Sequence, residues 1–388
     1  MFPAGLGGDD RRYMLKGLVC GVCNTAVFSH LELEVARKGP EAFARLFLQP
    51  EGRGSGKKAS IPSLQTEATT FIDPDVNVAL EADLAAGGAT TVLAQLLFSN
   101  GELSLTGPST EAIDQLFVEL EGLLQEDEIY VVRKFRQEDG SAFDVETYRW
   151  TEHRYRLQQT AIQSRPPARG IWREELRVPP RGDTDVRHAE RVFRRSQGGL
   201  ILRVLPEAAI ADRLSTLRHA LPVLAKRQPA ALVSVERPTI QVGLHYLANA
   251  TPRVMAKIGL NVACFEHGEQ FARLPIFGPI KQAILHGEQD VPHEIFTHDH
   301  PIHSLLSIVP GTVHVTMTTA SMGPTGEIML FTAIQLYGGA VYTVKLAGNV
   351  PSELPPVFYV VDYIKHVITR YDLQSFLLAF GAGETLVR

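Results

Sequence analysis

The sequence predicts an α+β protein, and three observations lead to this class. Apolar residues recur at helical spacing over 108–120, where Ser109 is expected to cap the helix. The segments 90–98 and 102–106 alternate between apolar and polar residues and predict a hairpin. The region 302–346 contains four segments of strand character separated by turns, which predicts an antiparallel meander. Helices and antiparallel strands are therefore expected in the same chain.

Further helices are predicted on both sides of these segments. A helical pattern begins at Phe28 and is interrupted near Gly39-Pro40. A longer one covers 251–266, with Pro252 in the first helical position. Its apolar residues form one face, and Lys257 and Asn261 lie off that face. Another helix is expected over 278–286.

The chain length and the position of a proline- and arginine-rich segment predict the domain organisation. A chain of 388 residues is expected to form two or three domains. We expect an N-terminal segment 1–50, a mixed α/β middle domain 51–163 and a C-terminal domain 182–388 with an antiparallel sheet and helices. The segment 164–181 is rich in proline and arginine, which is typical of a linker.

Composition excludes several classes of protein. The chain is 45% hydrophobic and 21% charged, as in ordinary globular proteins. No apolar run reaches the roughly 18 residues of a membrane span, and the start does not resemble a signal peptide. The chain contains 3 cysteines, which argues against a disulfide framework and for a reducing compartment. We therefore expect a cytoplasmic protein without a membrane partner.

The charges are segregated along the chain. Residues 66–132 contain thirteen acidic residues and no lysine or arginine, whereas 133–203 contain fifteen arginines and one lysine against ten acidic residues, a net charge of +6. One interpretation is a basic footprint for nucleic acid on an acidic body. The other is that an acidic and a basic surface face each other, within a monomer or across a dimer. The sequence leaves both open, together with the oligomeric state.

Two short motifs lie within the first 24 residues. Pro3 is followed by Leu6-Gly7-Gly8, and a dozen residues later Cys20 and Cys23 form a Cys-x-x-Cys pair with Asn24 directly after it. This pattern resembles the HNH endonuclease family, in its branch with a zinc-binding cysteine pair.

The resemblance implies an N-terminal remnant of a ββα-metal fold and hydrolysis of phosphodiester bonds in DNA. In this family a histidine activates water, and a divalent ion, Mg²⁺ or Mn²⁺, stabilises charge on the scissile phosphate. Asn24 matches the last metal-facing position of the motif and is the candidate catalytic residue. Cys20 and Cys23 match two of the four thiolate ligands of a structural Zn²⁺. Cys264 is interpreted as a small buried hydrophobic residue.

Two further segments, 256–261 and 277–287, resemble a region downstream of this nuclease module in large bacterial proteins. DNA is therefore the expected partner. The biological role that the resemblance suggests is defence against foreign DNA.

The front half of the family's motif does not match this sequence. The catalytic histidine would fall one position before Met1, and Leu15 stands where the family has a middle asparagine. Either the start codon is assigned too late, or the module is degenerate and keeps its fold without cleavage. We favour a late start, because the motif stops at the first residue. The chain as given lacks the general base, so plasmid nicking with Mg²⁺ or Mn²⁺ is expected to stay at background.

Two alternatives come from other classes of protein. One is a non-catalytic zinc-containing protein that binds nucleic acid or regulates another protein. The other is an enzyme centred on the histidine-rich loop 293–303, whose imidazoles and Asp299 have ligand chemistry suited to Zn²⁺ or Mn²⁺. Histidines in such loops are more often surface residues, and Pro301 predicts that this loop leads into a strand. They are not part of the predicted site.

Overall fold

A computed structural model of the protein describes most of the chain. The described residues are 2–8, 11–15, 17, 19–49, 62–73, 75, 77–99, 101–137, 140–177, 186–195, 198–226, 239–323 and 326–381. The chain divides into two compact units. Unit 1 comprises residues 1–67, 85–89 and 244–388, and unit 2 comprises residues 68–84 and 90–243.

Helices and strands are numbered in chain order. The α-helices are α1 (Ser29–Arg37), α2 (Pro40–Leu48), α3 (Thr110–Leu124), α4 (Ile210–Leu224), α5 (Ala250–Ala272), α6 (Gly278–His286), α7 (Pro301–Leu306) and α8 (Leu373–Phe380). The strands are β1 (Ala68–Asp73), β2 (Val78–Leu84), β3 (Thr90–Val92), β4 (Gln95–Ser99), β5 (Glu102–Thr106), β6 (Glu128–Gln137), β7 (Gly140–Thr151), β8 (Arg154–Gln163), β9 (Ile171–Glu175), β10 (Glu190–Arg194), β11 (Leu200–Val204), β12 (Thr239–Gly243), β13 (His293–Phe296), β14 (Val313–Met322), β15 (Ile328–Gln335), β16 (Val341–Ala347), β17 (Leu354–Asp362) and β18 (Val367–Asp372).

Unit 1 is built on a six-stranded antiparallel sheet in the order β13-β16-β15-β14-β17-β18. Helix α5 packs against β14, β15 and β16, while α7 contacts β16 and α8 contacts β17 and β18. The predicted meander is confirmed for β14, β15 and β16. The predicted strand over 305–309 is wrong, because Pro301 occupies the first position of α7 and the His300 ring accepts a hydrogen bond from the Ile302 N–H (3.2 Å).

Helix α5 lies unusually close to the sheet at Gly259. A Cβ atom added to this glycine would lie 2.4 Å from Cγ2 of Thr332 in β15, so no larger residue fits without a shift. Val254, Ile258 and Val262 are fully buried in the core on this side of the helix. The opposite stripe of α5 is thereby directed away from the sheet.

The N-terminal segment belongs to unit 1. Residues Ala4–Leu6 form a 3₁₀ turn, and Phe2 and Leu6 are buried in the core that also contains Tyr363. Gly7 has φ +81°, and a Cβ there would lie 2.5 Å from Tyr363. The Leu-Gly-Gly turn is therefore required by contact with the C-terminal part of the chain.

The ββα arrangement implied by the family resemblance is corrected for the described part of 2–49. This part forms 3₁₀ turns, a π-helical turn (Cys23–Phe28) and helices α1 and α2, but no strand. A helix follows the cysteine pair, and the predicted interruption at Gly39-Pro40 is confirmed, since Pro40 begins α2. In place of a hairpin, the glycine turn packs into the core of unit 1.

Unit 2 contains an eight-stranded mixed sheet in the order β5-β4-β10-β11-β9-β6-β7-β8 and a four-stranded sheet in the order β12-β1-β2-β3. Helices α3 and α4 pack together on the larger sheet. The predicted hairpin is confirmed as β4–β5. The Ser109 cap is confirmed as well, because its hydroxyl accepts a hydrogen bond from the Ala112 N–H (3.2 Å).

The segment 164–181 is not a linker in its described part. Residues Ile171–Glu175 form β9, which lies inside the larger sheet and pairs in parallel with β6 and β11. Ile171 is fully buried, so this stretch contributes to the core despite the prolines before it. The expected boundaries at 51 and 182 also differ from the observed units, because both units are assembled from separated stretches of chain.

The α+β class is confirmed, since both units contain helices and antiparallel strand pairs, and unit 2 also contains a mixed sheet. Across the residues that the structure describes, no helix is both long enough and apolar enough to cross a lipid bilayer.

Candidate functional site

Cys20 and Cys23 lie together at the start of the helix that leads into α1. The Cys20 sulfur accepts a hydrogen bond from the Cys23 N–H (3.3 Å), as a capping side chain does in the first helical turn. This hydrogen bond lowers the pKa of the Cys20 thiol, and the contact with Cys20 raises the pKa of the Cys23 thiol. The spacing therefore places two thiols side by side, with Cys20 the more readily ionised.

Asn24 follows directly in the π-helical turn. Its N–H donates to the Cys20 carbonyl (2.9 Å), and its side chain is exposed. Short π-helical turns are rare and are often found at functional sites. The candidate metal ligands thus lie at neighbouring positions of one helical turn.

A cavity of about 340 Å³ in unit 1 opens beside the two thiols. One of its walls is the stripe of α5 that faces away from the sheet, formed by Lys257, Leu260, Asn261 and Cys264. These positions follow the i, i+3, i+4, i+7 spacing of a single helix face. The segment singled out in the sequence as 256–261 is therefore part of the same site as the cysteine motif.

Cys264 is the residue that sequence reasoning missed. It is buried, as expected, and burial raises the pKa of its thiol. It also lines the same cavity as Cys20 and Cys23, although some 240 residues separate it from them. The helical spacing of Cys264 from Lys257 and Asn261 was the available signal. All three cysteines of the chain thus border one cavity.

Cationic side chains predominate among the described charged residues of the lining, which are Lys257, Lys281, Arg273 and Glu269. Lys257 pairs with Glu32 of α1 and lies over the ring of Phe28, 4.9 Å from its centroid. These contacts fasten the helix start to α5.

The other two cations of the lining are Arg273 and Lys281. Arg273 pairs with Glu269 (2.5 Å), and both side chains are largely exposed. The Lys281 ammonium donates to the Ala272 carbonyl (2.5 Å) and has no carboxylate partner among the described residues. It is therefore the least neutralised charge of the lining.

Some of the segregated charges of unit 2 pair with each other within the unit. Glu81, from the acidic stretch, contacts two buried arginines of the basic stretch: Arg203 (2.5 Å) and Arg191 (3.6 Å). Arg194 pairs likewise with Glu119 (2.5 Å). These ion pairs favour the interpretation in which the two stretches face each other within the monomer over the interpretation as a basic footprint.

The histidine-rich loop does not assemble into a cluster of ligands. The His300 ring stacks on Phe296 (3.8 Å between centroids), and the His303 ring lies edge-on to that of His298 (4.7 Å). Within the described ranges of the chain, no group of three or more His, Cys, Asp or Glu side chains is placed to hold a metal ion. Cys20 and Cys23 therefore fit half of a tetrahedral zinc site.

Comparison of the chain with protein-family models, with curated proteins and with solved structures gives no match.

Proposed function

We propose that the helix start at Cys20, Cys23 and Asn24 is part of the metal centre of an HNH-type endonuclease, which hydrolyses phosphodiester bonds in DNA. The chain as given is inactive in this proposal, because no residue of it matches the general-base histidine of that motif. The observation that carries the proposal is the position of the two thiols, which touch in the first helical turn, border a cavity and are followed at once by Asn24. Thiolates at this spacing suit Zn²⁺, and an amide oxygen suits Mg²⁺ or Mn²⁺.

In this proposal Cys20 and Cys23 would be structural zinc ligands, and Asn24 would face the catalytic ion. A divalent ion bound there supplies charge stabilisation for the scissile phosphate and the leaving oxygen. The protein's own contribution is to hold these ligands still. Leu31 and Val35 bury one face of α1 in the core, and Glu32 pairs with Lys257, so the ligand-bearing turn precedes a helix that is fixed on α5.

A second candidate is a non-catalytic zinc-containing protein that binds nucleic acid or regulates another protein. The exposure of Asn24 favours it, because a metal-facing amide is normally held by a surrounding shell. Binding of DNA without cleavage in the presence of Mg²⁺ and Mn²⁺ would distinguish this candidate. For either function the three free thiols favour a reducing compartment, and we propose the cytoplasm.

Metal binding by the thiols tests the proposal. Titration of the full chain with Co²⁺, followed by thiolate-to-cobalt charge-transfer absorption, is expected to show a band that Zn²⁺ displaces. Cys20→Ala and Cys23→Ala should each abolish the band, because two thiolates are the minimum that this half site offers.

Cys264→Ala is the matched control, since it removes the third thiol of the cavity and should leave the band unchanged. The proposal is contradicted if the wild-type chain shows no band. It is also contradicted if the band remains in the Cys20→Ala variant and in the Cys23→Ala variant.

A further inference from the structure

The cavity beside Cys20 and Cys23 has the dimensions of a ligand site. Its volume of about 340 Å³ lies at the lower end of the roughly 300–1,000 Å³ that is usual for small-molecule pockets. It is large enough for one phosphate and part of its sugar. The cavity is formed within unit 1 by the helix start, α5 and α6, so its walls do not depend on unit 2.

The cavity has an excess of positive charge. Among the described residues, three cations and one carboxylate line it. Lys257 pairs with Glu32 and Arg273 pairs with Glu269, so the excess positive charge is that of Lys281. Lys281 retains N–H groups beyond the one that bonds the Ala272 carbonyl, because an ammonium has three donors. A lysine with unused N–H donors and no carboxylate partner attracts anions that have several acceptor oxygens. Phosphate is such an anion.

The fold directs these groups to one place. Gly259 holds one side of α5 against the sheet, which leaves Lys257 and Asn261 on the side of the cavity. Gly268, with φ +81°, interrupts α5, and the turn after it brings Arg273 to the rim. Lys281 comes from α6. Cations from separate turns thus converge beside the thiol pair.

We infer that this cavity binds a backbone phosphate of DNA through Lys281 and Arg273, next to the metal-ligand turn. The inference rests on the proposed function for the identity of the ligand, and it adds residues of the C-terminal part of unit 1 to the DNA-contacting surface. Lys257 and Asn261 form the inner wall, with Lys257 held by Glu32.

DNA binding by the full chain tests the inference. Fluorescence anisotropy with a labelled duplex of about 20 base pairs, titrated at several salt concentrations, gives the affinity and its salt slope. Lys281→Met should weaken binding about tenfold, because a charge-assisted hydrogen bond is lost. It should also reduce the slope of log K against log salt by about 1.

Two further variants complete the experiment. Lys365→Met is the matched control, because Lys365 is an exposed lysine of unit 1 that pairs with Asp362 and lies outside the cavity. It should bind DNA like the wild type. Arg273→Ala, at a side chain that is 76% exposed, does not threaten folding and should also weaken binding.

The outcomes separate this inference from the proposed function. Equal affinities for Lys281→Met, Arg273→Ala and Lys365→Met would overturn the inference, and so would a wild-type chain that binds no duplex. The labelled duplex is also competed with deoxynucleoside monophosphate and with unlabelled duplex. If the monophosphate displaces it at a much lower concentration than the unlabelled duplex does, the ligand of the cavity is a free nucleotide and the inference of DNA binding is overturned. If Co²⁺ binding is unaffected by Cys20→Ala while Lys281→Met still weakens DNA binding, only the metal centre fails.

Discussion

His314 shows how completely unit 1 encloses a polar side chain. Its ring is fully buried in β14, is stacked on Tyr363 (4.7 Å) and meets Tyr337 edge-on (4.4 Å). Nδ1 accepts a hydrogen bond from the Tyr337 N–H (3.2 Å). Burial lowers the pKa of His314 from 6.5 to about 3, so the imidazole stays neutral in the folded protein at physiological pH.

This buried histidine predicts a loss of stability in mild acid. The unfolded chain binds a proton at His314 below pH 6.5, whereas the folded protein does so only near pH 3, so the free energy of unfolding falls as the pH decreases between these values. Between pH 6 and pH 5 the wild type should lose about 1 kcal/mol more than His314→Asn, since one pKa unit corresponds to about 1.4 kcal/mol. Urea unfolding at both pH values measures the difference, and parallel losses in the two proteins would refute the prediction.

Helix α5 is the element on which the candidate site depends. One stripe of it packs on the sheet through Gly259, and the other lines the cavity through Lys257, Asn261 and Cys264. The sequence pattern assigned Lys257 and Asn261 to a side away from the apolar face, and the structure agrees. What periodicity did not indicate is that this second side is covered by the cysteine-bearing turn.

Close packing at Gly259 predicts that Gly259→Ala destabilises the protein. The new methyl group would lie 2.4 Å from Cγ2 of Thr332, so α5 or β15 must shift, and overpacking of this kind costs about 1–3 kcal/mol. Gly122→Ala in α3 is the matched control. No atom lies within 4 Å of its added Cβ, so it should stabilise by about 0.5–1 kcal/mol through helix propensity. Urea unfolding followed by far-ultraviolet circular dichroism measures whether the two substitutions change the free energy of unfolding in opposite directions.

At the scale of the whole molecule, residues far apart in the chain form one unit. Leu6 is 1% exposed and shares its core cluster with Tyr337 and Tyr363. The turn that resembles part of a nuclease motif is therefore also a structural part of unit 1. A mutation in it should affect the stability of the C-terminal sheet region.

Leu6→Ala should lower the free energy of unfolding by about 2–5 kcal/mol, because it leaves a cavity in a closely packed core. Met14→Ala, at a side chain that is 54% exposed, should change it by about 0.5 kcal/mol or less. Denaturant titration of both variants measures this contrast. Equal small effects would show that the N-terminal turn does not contribute to the core of unit 1.

The predictions that held depend on signals within a few residues. Ser109 caps α3 because its hydroxyl reaches an N–H three residues away, and Pro40 begins α2 because its ring suits the first helical position. The strand predicted over 305–309 failed for a local reason, because Pro301 and the His300 ring begin helix α7 there. The other failures concern partners further away in the sequence. The prolines near β9 indicated a linker, yet Ile171 is buried between strands that the local sequence does not specify.

Local signals in the sequence were enough to predict the α+β class, several helix positions, the β4–β5 hairpin and the strands β14, β15 and β16, since these follow from propensity, periodicity and spacing over a few residues. They also place Cys20, Cys23 and Asn24 in one turn. Three features became visible only in the folded protein: the Leu6-Gly7-Gly8 turn packs on Tyr363, the acidic and basic stretches pair through residues such as Glu81 and Arg203, and Cys264 borders the same cavity as the other cysteines. Those outcomes depend on burial and charge pairing between residues about a hundred or more positions apart, and no local pattern encodes which distant surface a side chain will meet.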